Sequence, residues 1–145
     1  MIKIKKISAD ETYEIRLAIL RGGMDLPVEF TGDFDEDTCH FGVFEDDELK
    51  GIASFLKNSN TLFDTVQYQL RGMATVQEIR GKGYGKQLLL HAFDVLKEKQ
   101  VKVIWCNARE VALNFYLKLG FEIHGDSFDI PEVGEHYCLS KQIEC

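Results

Sequence analysis

A cluster of glycines and basic residues lies in the middle of the chain, just before an apolar pattern typical of a helix. The run Arg80-Gly81-Lys82-Gly83-Tyr84-Gly85-Lys86 alternates glycine with basic or aromatic residues. The free N–H groups at a helix start point towards an anion, and glycine lets the backbone approach closely and adopt positive φ angles. The run therefore predicts a phosphate-binding loop.

Two common phosphate-binding motifs do not fit this run. A Walker A loop ending at Gly85-Lys86 would need glycine in place of Arg80, and serine or threonine in place of Gln87. The dinucleotide-binding fingerprint G-x-G-x-x-G, started at Gly81, would need glycine in place of Lys86. The motif that does match residues 80–85 is R-x-x-G-x-G. By itself, the loop could also be a turn that only reverses the chain.

A second motif lies in residues 107–121, whose sequence is NAREVALNFYLKLGF. It ends in F-Y-x-K-x-G-F, and Ala112 lies four residues before Tyr116. Together the two motifs resemble the coenzyme A (CoA) pyrophosphate loop and the second CoA-contacting segment of the GCN5-related N-acetyltransferase (GNAT) family. Arg109 departs from the family pattern, in which many members carry asparagine. The chain is also similar to a branch of small, uncharacterised bacterial acetyltransferases.

The resemblance implies direct transfer of an acetyl group from acetyl-CoA to a primary amine of a small molecule or peptide, within a ternary complex. Tyr116 would be the general acid that protonates the CoA sulfur. Backbone groups of Met73-Ala74-Thr75 would contact the pantetheine and the thioester, and the loop of residues 80–86 would hold the phosphates. Asn114 could bond a pantetheine amide. A catalytically silent CoA-binding or acyl-CoA-sensing protein is the alternative.

The residue that removes the proton from the amine is not identified by the sequence. His40 and His136 lie in predicted strands, and a neutral histidine suits base chemistry near pH 7. Either could face the substrate, or could make a structural hydrogen bond instead. Glu78 and ordered water are the other options. A zinc site would need Cys39-His40 together with His136 and Cys138, but neighbouring residues of a strand point to opposite faces, so no metal is expected.

The elements that must position these residues follow from the periodicity of apolar residues. Strands are predicted over residues 2–7, 39–45, 49–56, 66–75, 101–106, 121–124 and 135–140. Helices are predicted from Ala9 to Gly22-Gly23, after the glycine loop, and over residues 109–119, with a long loop over residues 24–38. The order β-α-β-β-β-α-β-α-β-β predicts an α/β (α+β) GNAT fold, with a mixed, mostly antiparallel sheet of about six to seven strands.

Composition limits the class of protein. The chain has 145 residues, a formal net charge of −7 and four cysteines without a Cys-x-x-Cys pair. These features predict a single domain over residues 1–145, reduced thiols and a cytoplasmic location. The acidic excess argues against nucleic-acid binding, and no apolar run is long enough for a membrane span. The acceptor and the oligomeric state stay open, with a homodimer as one option.

Overall fold

The strands alternate with helices in the order that the apolar pattern predicts. In a computed structural model, which describes residues 2–21, 27–131 and 133–143, the strands are β1 (Ile2–Ile7), β2 (Cys39–Glu45), β3 (Glu48–Leu56), β4 (Gln67–Thr75), β5 (Val103–Arg109), β6 (Glu122–Ile130) and β7 (Gly134–Gln142). These described residues form one seven-stranded sheet of order β1-β2-β3-β4-β5-β7-β6. Only β4 and β5 pair in parallel within it. The predicted fold class is confirmed.

Helices pack on both faces of this sheet. In the described ranges they are α1 (Ala9–Ile15), α2 (Tyr84–Glu98) and α3 (Leu113–Lys118). A π-helical segment, Arg16–Arg21, continues α1. The apolar stripe of α2 is buried in the larger core, and Ile15 of α1 packs in a smaller core on the opposite face. No helix in these ranges is long and apolar enough to cross a membrane.

Local sequence signals place several element ends correctly. Ser8 caps α1: its hydroxyl accepts from the N–H of Glu11 at 3.3 Å, and its own N–H donates to the Glu11 carboxylate at 2.9 Å. Asp46 and Asp47 join β2 to β3 with φ angles of 51° and 69°. Positive φ at both central residues is typical of the tight hairpin turn that matches strand twist. Both predictions, made from neighbouring residues, are confirmed.

Several predicted boundaries in the second half of the chain differ from the structure. The segment predicted as a helix from residue 109 starts later, because Asn107–Arg109 pair with β7 and extend β5. A 3-10 turn, Glu110–Ala112, then leads into α3. The last two strands are longer than predicted because they pair with each other. The predicted helix end at Gly22-Gly23, and the start of the predicted loop, lie outside the described residues.

A buried ion pair holds the segment of residues 27–38 against the sheet. The Nη1 and Nη2 atoms of Arg16 lie 2.7 and 3.0 Å from the two carboxylate oxygens of Asp33, and both side chains are 0% exposed. Arg16 also donates to the hydroxyl of Ser54 and to the carbonyl of Val28. Burial alone would raise the pKa of Asp33, but hydrogen bonds from Arg16 and from a backbone N–H outweigh it and lower that pKa.

Candidate active site

The strands β4 and β5 separate before they end, and a cavity lies where they separate. Their parallel pairing joins only Gln67–Gln69 to Val103–Trp105, although β4 continues to Thr75 and β5 to Arg109. The cavity has a volume of about 660 Å³, within the usual range of small-molecule sites. Beyond the paired region, the edge of β4 that faces β5 has no strand partner, and Met73, Ala74 and Thr75 all line the cavity.

A β-bulge in β4 orients the residues that line this cavity. Between Arg71 and Ala74, two residues of β4 lie opposite one residue of β3. Gly72 has a φ of +64° there, a conformation that glycine adopts without strain. The bulge reverses the alternation of the strand, so that Leu70 packs in the larger core whereas Ala74 packs in the smaller core on the other face.

The glycine loop lines the cavity near the start of α2. The lining residues of the loop are Arg80, Gly81, Gly83, Tyr84, Gly85 and Lys86. Gly81 and Gly83 have φ angles of +86° and +81°, and a Cβ added at either would meet no atom within 4 Å. Gly83 is the N-cap of α2, and no side chain caps this helix end. The loop thus leaves the N–H groups of the helix start free for an anion.

Two side chains of the loop are bound to the end of β2. The Tyr84 hydroxyl donates to the carboxylate of Glu45 at 2.7 Å, and Nζ of Lys82 lies 3.4 Å from the same oxygen. The hydrogen bond from Tyr84 lowers the pKa of Glu45. Lys82 lies outside the cavity lining. These contacts fix the loop in place without using its backbone N–H groups.

Tyr116 of α3 lines the cavity, and its hydroxyl has no hydrogen-bond partner among the described residues. Its ring packs against Phe115 and Phe121, with centroids 5.1 and 5.3 Å away, and 7% of the residue is exposed. The hydroxyl makes no hydrogen bond within the described part of the chain. Burial, and then the neighbouring Cys106 thiol, raise the pKa of Tyr116 well above its usual value. This side chain therefore remains protonated at neutral pH.

His136 also lines the cavity, and one of its ring nitrogens has no hydrogen-bond partner among the described residues. Its Nδ1 lies 2.8 Å from the carbonyl oxygen of Gly134. A carbonyl oxygen only accepts, so Nδ1 carries the hydrogen, and Nε2 of the neutral ring has an available lone pair. Nε2 makes no hydrogen bond with any described residue. The arrangement suits a proton acceptor.

His40 is not brought to the cavity. Its Nε2 donates to the carbonyl of Asp33 over 2.9 Å, and its Nδ1 lies 2.7 Å from the Ser54 hydroxyl. Both ring nitrogens are thus used in bonds to the loop and to β3, which gives no support to the predicted contact with substrate. Glu78 likewise lies outside the lining and is paired with Nζ of Lys50 at 2.9 Å.

The basic residues at the other end of the cavity were not assigned a role from the sequence. Arg71 and Arg109 line it together with the predicted Arg80 and Lys86. Among the described residues, the cavity lining contains no aspartate or glutamate, although the chain has a net charge of −7. The sequence signal that could have identified Arg71 as a site residue is its position as a lone arginine among apolar residues of a predicted strand. The predicted ligand Asn114 is exposed on α3, outside the lining.

The described residues contain no group of three or more His, Cys, Asp and Glu side chains placed to hold a metal ion. Cys39, Cys106 and Cys138 are buried free thiols. Burial raises the pKa of Cys106, and to a smaller extent so does Cys138. These sulfur atoms therefore behave as small apolar groups of the core.

Solved acetyltransferases share this fold. ElaA from Escherichia coli superposes with a TM-score of 0.80 over 97% of this chain and 99% of that chain, at 19% identity. An aminoglycoside 6'-N-acetyltransferase complexed with coenzyme A gives a TM-score of 0.78 over 99% of this chain and 98% of that chain, at 15% identity. At such identities the similarity shows the fold alone.

The sequence comparisons extend this similarity to the protein class. Uncharacterized N-acetyltransferase YitI from Bacillus subtilis (strain 168) is 40% identical over 145 residues, which cover 99% of this chain and 97% of the relative. The sequence profile of the acetyltransferase (GNAT) family matches residues 7–121. The protein is therefore an acyltransferase. It belongs to the acetyltransferase (GNAT) family, an acetyl-CoA-dependent family of N-acetyltransferases.

Proposed function

We propose that this protein transfers the acetyl group of acetyl-CoA directly to a primary amine of a small molecule or peptide, in a ternary complex. The observation that supports this most is the single cavity lining shared by the glycine loop and the protonated, unbonded hydroxyl of Tyr116. One end offers an anion site, and the same space holds a proton donor. An anion site and a proton donor in one cavity match acetyl-CoA, whose phosphates and reactive sulfur are far apart.

The residues along the cavity fit coenzyme A. Backbone N–H groups of Gly81 and of residues 83–86, with the side chains of Arg80 and Lys86, would hold its phosphates, and the missing Cβ atoms of Gly81 and Gly83 leave the required space. Met73-Ala74-Thr75 would donate backbone N–H groups to the pantetheine and to the thioester carbonyl, as donors already oriented where charge develops. Lys82 and Asn114 would contact parts of the ligand that extend beyond the cavity.

Two side chains would move the protons of the reaction. Bound acetyl-CoA supplies an acetyl group activated as a thioester. Tyr116 would donate its proton to the departing sulfur, a role for which its raised pKa keeps it in the acid form. Nε2 of His136, which is free to accept, would take the proton of the amine, whereas His40 has no free nitrogen for this role.

Acetyl-CoA should stabilise the protein against heat and release free thiol in the presence of a suitable amine. At a concentration of 100 times its Kd, a ligand that binds only the native state adds about 2.7 kcal/mol to the free energy of unfolding. Thermal unfolding measured during an acetyl-CoA titration, with pantetheine lacking phosphates as the comparison ligand, tests the site. Unchanged melting at saturating acetyl-CoA would contradict the proposal.

His136→Gln should lower kcat/KM by about 10- to 100-fold, because glutamine can still bond to the Gly134 carbonyl but cannot take up a proton at neutral pH. The Kd for acetyl-CoA, measured by the same titration, should stay unchanged. His91→Gln is the matched control, since His91 is an exposed residue of α2 outside the cavity. Wild-type kcat/KM in His136→Gln would exclude His136 as the proton acceptor and favour ordered water.

A further inference from the structure

Arg71 of β4 lines the cavity and has no acidic partner among the residues that the structure describes. Its guanidinium lies 4.3 Å from the centroid of the Phe30 ring, and it forms no hydrogen bond or ion pair with the described residues. The same ring is contacted by Arg16 at 3.8 Å and by Arg21 at 5.5 Å. The nearby carboxylate of Asp33 is already held by Arg16 through both oxygens. Among the described residues, Arg71 therefore lines the cavity with no carboxylate bound to its guanidinium.

Arg109 adds a second cation to this end of the cavity. It is the last residue of β5 and pairs in register with His136 of β7, so the two side chains leave the same face of the sheet, and both residues line the cavity. Its Nη2 donates to the carbonyl of Leu20 at 3.2 Å. That bond uses one of the five N–H donors of the guanidinium, so others remain for a ligand.

The clustering of these positive charges is costly to the folded protein. The pKa of Arg71 is lowered first by burial and then by the charges of Arg21 and Arg16. The pKa of Arg21 is lowered by burial and then by Arg109 and Arg16. The chain has more acidic than basic residues with which to neutralise such a cluster, yet none of the described acids lines this cavity. A partly buried cation is normally paired, which indicates that its partner arrives with a ligand.

We propose that the acetyl acceptor is an amine that also carries an anionic group, a carboxylate or a phosphate, bound by Arg71 and Arg109. The position of His136 beside Arg109 then brings the proton acceptor close to the amine of the same molecule. This inference rests on the proposed acetyl transfer and specifies its substrate class. The phosphates of CoA have their own basic residues, Arg80 and Lys86, at the glycine loop. Acceptors that are purely cationic would be repelled from this end.

Matched pairs of amines test the substrate class. Amino acids are compared with their carboxamides, and O-phosphoethanolamine with ethanolamine, by the release of CoA thiol. Since hydrogen bonds to charged groups are strong, the anionic member of at least one pair should have a kcat/KM about 10- to 100-fold higher. A preference for amino acids over their carboxamides identifies a carboxylate as the anionic group of the acceptor. A preference for O-phosphoethanolamine over ethanolamine identifies a phosphate.

Arg71→Gln and Arg109→Gln should each reduce this preference through a higher KM for the anionic amine, with the Kd for acetyl-CoA changed by less than about twofold. Arg71→Lys should keep part of the preference, because it keeps the charge but loses the two-pronged geometry. Arg80→Gln is the matched control at the glycine loop. It should weaken acetyl-CoA binding and leave the preference for anionic amines unchanged.

Three outcomes would overturn the inference, and they can be told apart. Equal rates within every pair, in wild-type protein that acetylates amines, would overturn it and leave the proposed function standing. A loss of acetyl-CoA affinity in Arg71→Gln as large as in Arg80→Gln would assign Arg71 to CoA instead. Failure of wild-type protein to bind acetyl-CoA would overturn the proposed function together with this inference. The wild-type comparison does not depend on the folding of any variant.

Discussion

Gly83→Val should abolish acetyl-CoA binding while the protein still folds. Gly83 has a φ of +81°, and its missing Cβ faces space that no protein atom occupies within 4 Å. A valine side chain would fill that space and keep a phosphate away from the N–H groups at the start of α2. The backbone strain costs about 1–2 kcal/mol, so the melting temperature should fall by roughly 2–8 °C. Isothermal titration with acetyl-CoA measures the binding.

Gly125→Val separates the effect on binding from the effect of strain. Gly125 lies in β6 with a φ of +76°, it also has nothing within 4 Å of an added Cβ, and it does not line the cavity. The same substitution there should give a similar loss of thermal stability and an unchanged Kd for acetyl-CoA. Near-wild-type affinity in Gly83→Val would refute the assignment of the loop, whatever its melting temperature.

Tyr116→Phe should lower kcat by about 100- to 10,000-fold, the range expected for the loss of a general acid. The hydroxyl has no hydrogen-bond partner among the described residues, so its removal should leave the stability and the acetyl-CoA affinity close to wild type. Because its pKa is raised, the acid form persists to higher pH than in a free tyrosine. Tyr116 should therefore cause no alkaline loss of kcat below about pH 10.

Steady-state kinetics of two tyrosine variants test this role. Tyr137→Phe is the control, because the Tyr137 hydroxyl bonds to Glu135 at 3.1 Å and the residue does not line the cavity. It should retain the wild-type kcat. If Tyr116→Phe also retained it, Tyr116 would have no part in proton transfer. Binding of acetyl-CoA by wild-type protein, without turnover on any amine, would instead favour a catalytically silent, CoA-binding protein.

The sequence predicted those features that depend on residues close together in the chain. The cap at Ser8, the turn at Asp46-Asp47 and the buried stripe of α2 each arise within one or two turns of backbone. The predicted start of α3 was wrong, because residues 107–109 pair with β7, and this pairing overrides the local helical pattern at the end of β5.

The acceptor end of the cavity could not be predicted in the same way. Arg71, Arg109 and His136 come from three strands, and only the pairing of those strands brings them to one cavity. His40 and His136 are equivalent in the sequence, since both lie in apolar strands. Their hydrogen bonds to the described residues distinguish them: His40 uses both nitrogens in the interior, whereas His136 uses one. Such differences depend on contacts between residues that are distant in the chain.

The buried pair of Arg16 and Asp33 limits how the segment of residues 27–38 could be redesigned. A loop transplanted from a relative would have to supply a carboxylate for Arg16, because removing one partner of a buried ion pair costs about 3–5 kcal/mol. That is a large share of the roughly 5–15 kcal/mol by which a domain is stable. The loop and residue 16 therefore have to be exchanged as one unit, whereas Phe34, which is 65% exposed, can be varied alone.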